Sequence, residues 1–128
     1  MDVIIHATQY ICRGARGDFL HMIRQDITHG ITDTLYIYND NIEAQIKKHI
    51  LSSAGNACIR EFNIYNPEHP KPYSAGISTG SRTFGGFKEL SNEAKKHIDD
   101  AIDIIVEIIC RHDIKHIYYS CEDESSTL

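Results

Sequence analysis

Apolar and polar positions alternate along the chain in blocks that can be read as elements. Val3 to Ile11 begins apolar and predicts a first strand, ending before Arg13-Gly14-Ala15-Arg16-Gly17, a glycine-punctuated loop. From Phe19 to Ile27 the period fits either a helix or a strand. Thr34-Leu35-Tyr36-Ile37-Tyr38 is rich in aromatic and β-branched residues and predicts a strand. Asn39-Asp40-Asn41 follows directly, with side chains suited to capping a helix over Ile42 to Leu51. Asn56 to Tyr65 alternates again, with Cys58, Arg60, Phe62 and Ile64 on one side, and predicts a further strand. Residues Asn66 to Pro72 form a proline-bearing loop. Ser74 to Phe87 is a run of small residues carrying four glycines.

Ser91 is an N-cap candidate for a long helix from Asn92 to about His112. Ala94, Ile98, Ala101, Ile105 and Ile108 recur at helical spacing, and Ile102, Ile104, Val106 and Ile109 widen the stripe. A helix apolar over so much of its circumference is covered on more than one side, as by a sheet and a second subunit. Ile114 to Ser120 predicts a closing strand. Together these elements predict one α+β domain over residues 1–128: a mostly antiparallel sheet packed by a long C-terminal helix and a shorter helix.

A chain of 128 residues is long enough to bury a core, and its 41% hydrophobic and 24% charged residues are ordinary globular usage. The acidic tail Glu122 to Leu128 is the one stretch suggestive of disorder. A formal net charge of −5 disfavours DNA or RNA as a partner, because phosphate attraction needs a basic face. An anionic ligand would have to be small and enclosed, held by a few arginines and backbone amides. No apolar run reaches spanning length and no leader pattern opens the chain, so a cytosolic protein without membrane contact is expected. Cys12, Cys58, Cys110 and Cys121 show no metal-binding spacing and are expected as thiols, Cys110 as buried filler in the helix.

The segment Gly76 to Gly86 is the strongest local feature. Small residues let the backbone approach a phosphate and direct N–H groups at it, or they make a plain surface loop. Arg82 and Phe84 within it add a guanidinium and a ring, the parts a nucleotide site uses. Asn39-Asp40-Asn41 can cap a helix or face a base or ribose. Arg60, on an otherwise apolar face, needs an anionic partner, either an acidic side chain or a ligand phosphate. Arg111 suits the helix dipole or can stack on an adenine from a neighbouring subunit. Arg13, Arg16, Arg24 and His21 form a second basic group. His112 and His116 are four apart, but the helix ends between them, so they do not form a helical metal pair. With no nucleophile elbow and no paired histidine motif, no catalytic set, metal site or cofactor is expected.

Four blocks carry a resemblance: Leu35 to Asn41, Gly55 to Arg60, Ser74 to Gly80 with Gly85-Gly86-Phe87, and Ile117-Tyr118-Tyr119-Ser120. In that order, over about Thr34 to Ser120, the chain resembles the phage anti-Thoeris sponges of the first-described type. The resemblance implies an α+β protomer paired through its long helix into dimers and then hexamers in the host bacterial cytoplasm. It implies binding, without cleavage, of glycocyclic ADP-ribose made by TIR-domain defence enzymes. Some members also hold cyclic di- or trinucleotides of CBASS defence in separate pockets. By resemblance the first ligand falls to Phe84, Asn92 and Arg111, with Arg82 and Ser91 beside them; Arg24, Arg60 and His21 are the choice for the second pocket. Two rivals are an enzyme hydrolysing ADP-ribose-type or cyclic nucleotides through Asn39, Asp40 and the glycine segment, and a partner protein docking by its apolar helix.

Overall fold

The computed structural model describes residues 2–9, 12–13, 16–52, 55–69, 71–81, 85–86 and 91–121. Strand β1 (Ile4–Gln9) is followed by a two-residue pair, β2 (Cys12–Arg13) and β3 (Arg16–Gly17), and by helix α1 (Asp18–His29). Then come β4 (Thr34–Asn41), α2 (Ile42–Lys47), a 3-10 helix (Gly55–Phe62), β5 (Ser74–Ser81) and β6 (Gly85–Gly86). Helix α3 (Asn92–His112) and β7 (His116–Cys121) close the chain.

The main sheet runs β1-β7-β4-β5-β6, and the expected antiparallel sheet is corrected here. β1 pairs with β7, β7 with β4 and β4 with β5, all in parallel. Only the short β6 joins antiparallel, at the β5 edge. The fold is therefore α/β, with helical crossovers joining parallel strands, and not α+β. β4 shows why the direction was hidden. Thr34 to Tyr38 are buried on both faces, as in the middle of a parallel sheet, and such a run reads alike in either orientation.

Successive residues of β4 feed two cores. Tyr36 and Tyr38 pack with Phe19, Leu20 and Ile23 of α1 and with Cys58, Ile59 and Phe62 of the 3-10 helix. Leu35 and Ile37 pack on the other face with Ile105 and Ile108 of α3 and with Ile114 and Ile117. The α1 crossover runs from β1 toward β4, and the α3 crossover runs back from β5 to β7. Opposite directions put their helices on opposite faces if both crossovers share one hand, the rule for parallel units.

Three further expectations about elements change. Asn56 to Tyr65 is not a strand: Gly55–Phe62 is a 3-10 helix, and Ala57, Cys58, Ile59 and Arg60 are all buried, so the alternation marked no face. Ser74–Ser81 is not a loop but β5, whose amides serve the ladder with β4. Its small residues are there for packing. A Cβ on Gly76 would lie 2.8 Å from the buried Tyr38 ring. Helix α2 is also shorter than expected. Asn41 caps it through Ala44 N, and Lys48, at φ 53°, ends it.

Among the described residues, no helix is long and apolar enough to cross a membrane. Cys58 is buried; Cys110, expected inside, is exposed.

Candidate functional site

In open α/β sheets, ligands bind beyond the carboxyl ends of strands, where neighbouring strands send their connections to opposite faces. That point lies between β4 and β5. The connection after β4 includes the 3-10 helix on the α1 face, and the one after β5 is α3 on the other. At this edge β4 changes from apolar to Asn39-Asp40-Asn41, and β5 ends in Ser78-Thr79-Gly80-Ser81.

Asp40 organises the edge. Its Oδ1 accepts from Arg60 Nη2 at 2.6 Å and from Asn41 N at 2.9 Å. Arg60 Nη1 donates to the carbonyl of Leu51 at 3.0 Å. The side chains of Arg60 and Asp40 are only 5% and 8% exposed, so this is a buried pair whose desolvation is offset by mutual attraction and further hydrogen bonds. Of the two partners left open for Arg60, the acidic side chain is the one present. Two buried polar atoms here have no partner among the described residues: Asn39 Oδ1 and Arg60 Nε.

Gln45 ties the edge to α3. It meets the buried Ser78 hydroxyl and donates through Nε2 to the carbonyl of His97 at 3.0 Å. Asn63 Nδ2 donates to the His49 carbonyl at 2.8 Å and to Tyr38 Oη at 3.3 Å. Burial, reinforced by the Asp40 charge, raises the Tyr38 phenol well above its ordinary range, so it stays neutral. The cavity among Tyr38, Asp40, Gln45, His49, Asn63 and Tyr65 holds about 30 Å³, room for about one water and not for a nucleotide.

The site residues read from sequence fall in three places. Arg82 and Phe84 lie outside the described residues. Ser91 caps α3, its Oγ accepting from Ala94 N at 3.1 Å, and Asn92 opens that helix in an exposed position. Arg111 is exposed in its last turn, with Nη2 2.6 Å from Glu107 Oε1. Arg111 lies nineteen helical steps after Asn92, about 28 Å along the axis. One copy therefore cannot close both on one small ligand. His21 and Arg24 are exposed on α1, one turn apart, while Arg60 is buried and neutralised by Asp40. The structure thus splits the second group into a surface pair and an interior arginine.

A second cluster escaped the sequence reading. His6, Tyr36, Tyr118 and His116 form a row of rings across three strands, beside Asp26. The outward period of β1 and β7 carried the signal, but only the parallel register aligns it. Lys71 is a further surprise, buried with no hydrogen-bond partner for Nζ among the described residues and with Nζ 4.2 Å from the Tyr73 ring centroid. Among the described residues, no three His, Cys, Asp or Glu side chains converge as metal ligands.

Compared with models of protein families, with curated proteins and with solved structures, the chain matches none.

Proposed function

We propose that this protein sequesters a small phosphorylated nucleotide, of the glycocyclic ADP-ribose class made by TIR-domain defence enzymes, and releases it unchanged. One observation carries the reading. The switch point of a parallel sheet gathers Asn39-Asp40-Asn41 and the end of β5 at one edge, and Gln45 ties that edge to the first turns of α3, which Ser91 and Asn92 open. The four-block resemblance to phage anti-Thoeris sponges supplies the ligand class and the setting, an anti-defence protein in the host bacterial cytoplasm. Its implied α+β protomer does not accompany it, since the sheet is parallel.

A sponge needs nanomolar affinity, about −12 kcal/mol. Two ring or guanidinium stacks supply roughly 1–3 kcal/mol each, and four charge-assisted hydrogen bonds roughly 1.5–3 each. That total covers the need only in an enclosed site of ligand size, which this edge of one copy, with space for about one water, does not offer. We therefore place two copies around the ligand, joined through α3, whose outward side carries Ile102 at 43% and Val106 at 51% exposure. Arg82, Phe84, Ser91, Asn92 and Arg111 are the ligand residues of this reading. Arg24, His21 and Arg60 are the choice for a cyclic di- or trinucleotide, Arg60 only where the ligand displaces its bond to Asp40.

The alternative, a hydrolase of ADP-ribose-type or cyclic nucleotides, would use Asp40 as its base. That carboxylate is already engaged by Arg60 and Asn41. Calorimetry with the cyclic ADP-ribose isomers, followed by heating and mass spectrometry of the released molecule, separates the two. Tight binding and an unchanged mass are expected. Conversion of the ligand would favour the hydrolase, and absence of binding to any isomer would end the sequestering reading.

A further inference from the structure

β1 is an outer strand of the main sheet and, among the described residues, pairs with β7 alone. Ile4 N–H donates to the Lys115 carbonyl at 2.9 Å, so Ile4 turns its main-chain groups toward β7. Successive residues of a strand serve opposite edges in such a ladder. His6 therefore also faces β7, while Val3, Ile5 and Ala7 direct their N–H and carbonyl groups outward. Proteins blunt an open edge of this kind with lysine, proline, a bulge or a very short strand. β1 has none of these. It keeps unbroken register with β7 over six residues and carries no lysine, arginine, acid or proline.

The side chains point the same way. Ile4 is 55% and Ile5 65% exposed, and neighbouring residues of a strand lie on opposite faces, so apolar surface is bare on both sides of this edge. An element packed on one face would cover one of the two and leave the outward amides unpaired. A strand added in the plane of the sheet flanks both and completes the ladder. β1 itself is such a strand. In an antiparallel pair of β1 strands about a two-fold axis, opposed side chains share a face. With the axis at Ile4, the two Ile4 side chains meet, Val3 meets Ile5 of the second copy, and Asp2 meets its His6. Apolar then opposes apolar on both faces, and a carboxylate opposes an imidazole. Val3 and Ile5 both face outward, so each of the two equivalent pairs exchanges main-chain hydrogen bonds. His6 Nε2 and His116 Nδ1 share a hydrogen bond at 3.1 Å, which leaves His6 Nδ1 for the Asp2 carboxylate. An axis at Ile5 would instead set Ile4 against His6, and one at His6 would set two imidazoles together.

We propose that β1 docks on β1 of a second copy, antiparallel about an axis at Ile4, and joins two five-stranded sheets into one. A two-fold axis of this kind stands perpendicular to the sheet, so both α3 helices stay on one face with their outward sides free. The contact is therefore compatible with pairing through α3, and two different two-fold contacts on each copy lead past the dimer. It is also small, about five residues a side against roughly 20–30 in a standard interface, so it is weak alone and adds to the α3 contact.

Thiols placed along the strand read the register directly, in a full chain whose exposed Cys110 is replaced by serine. Ile4→Cys puts two sulfurs at a non-hydrogen-bonded pair, where Cα atoms about 4.5 Å apart suit a disulfide. Ala7→Cys leaves its two thiols about six residues out of step, roughly 20 Å apart. On mild oxidation Ile4→Cys is expected to form the linked dimer on the order of tenfold faster than Ala7→Cys, with the link mapped by mass spectrometry of peptides. In the unmodified protein at high concentration the Ile5 amide is expected to exchange slowly with solvent, and dilution should free it. Ile5→Lys, at an exposed position, should keep native circular dichroism and lower the assembly size in sedimentation at matched concentration. Sizes beyond the dimer rest on the α3 pairing proposed above, whereas cross-linking and amide exchange do not, so failure of that pairing leaves those two results standing. Equal cross-linking of the two thiol variants would overturn the proposal. So would an Ile5 amide that exchanges as if unprotected at high concentration, or an assembly size that Ile5→Lys leaves unchanged.

Discussion

Replacing Lys71 by methionine removes a buried charge while keeping an unbranched side chain of similar length. Lys71 is 8% exposed, its Nζ has no hydrogen-bond partner among the described residues, and the Tyr73 ring lies 4.2 Å away. Burial lowers its pKa from 10.5 to about 8, against the opposing pull of Asp26 and Asp33. The unfolded chain keeps the proton up to about pH 10.5, whereas the folded one releases it near 8. Between those values the unfolded state binds more protons, so stability rises with pH across that window; below about 8 the full penalty is present. The gap from 10.5 to about 8 corresponds to roughly 3 kcal/mol. Attraction of the ammonium to the Tyr73 ring offsets about 0.5–2 kcal/mol of it. Lys71→Met is therefore expected to be more stable by about 1–3 kcal/mol at pH 7, an advantage that shrinks as pH passes through the window. Urea unfolding of both proteins at matched pH measures it. Tyr36 and Tyr38, both raised well above the ordinary phenol range by burial, affect both chains alike and cancel in the difference. A variant less stable at neutral pH, or a difference flat in pH, would refute the reasoning.

Asp40→Ala leaves Arg60 buried and unpaired and is expected to cost about 3–5 kcal/mol in urea unfolding, while Asp40→Leu with Arg60→Met recovers most of it. Gly76→Ala drives a Cβ to 2.8 Å from a ring that is only 2% exposed, and should lower stability by about 1–3 kcal/mol in the same assay. Val106→Glu is expected to shift the protein to monomer in light scattering without loss of helical circular dichroism. Asp99→Cys should cross-link to Cys110 of a second copy on mild oxidation, seen as a doubled mass on non-reducing gels; a variant that stays oligomeric without cross-linking would exclude the helix register argued below.

The sequence states helix α3 from cap to end, because Ser91 and the long apolar period are local signals. The core of β4 and the Asn41 cap are legible for the same reason. Strand direction is not. It depends on which strands become neighbours, and β4 buries both faces whichever way its partners run. β5 was hidden by its small residues. They are small because the Tyr38 ring fills the space above Gly76 and the Gln45 side chain reaches Ser78, so the partners carry the bulk. Cys58, Arg60 and Phe62 imitated a strand face although their neighbours Ala57 and Ile59 are equally buried. Cys110 sits in apolar sequence yet points outward, because the sheet-facing positions of its helix are Ala94, Ala101, Ile105 and Ile108. The Arg60–Asp40 pair was half legible: the need for an anion was plain, and which anion answered it was a matter of tertiary structure.

How two copies would meet follows from α3 itself. At about 100° per residue, Lys95, Ile102, Val106, Cys110 and Asp113 lie within roughly 80° of one another around the axis, and all are exposed. An antiparallel pair with its two-fold axis level with Ile104 sets Ile102 against Val106 of the other copy and Lys95 against its Asp113. Apolar then meets apolar, cation meets acid, and Asp99 comes within one residue, about 1.5 Å along the axis, of the level of Cys110. Moving the axis to Ala101 would instead set Asp99 close to the other copy's Asp103, two carboxylates in contact. Arg111 lies about 140° round the helix from Val106, on the flank with Glu93, Asp100 and Glu107, so a pair built on the apolar stripe turns it away from the shared face. If Arg111 grips the ligand, it does so from beside its own α3, and the partner completes the enclosure with other residues.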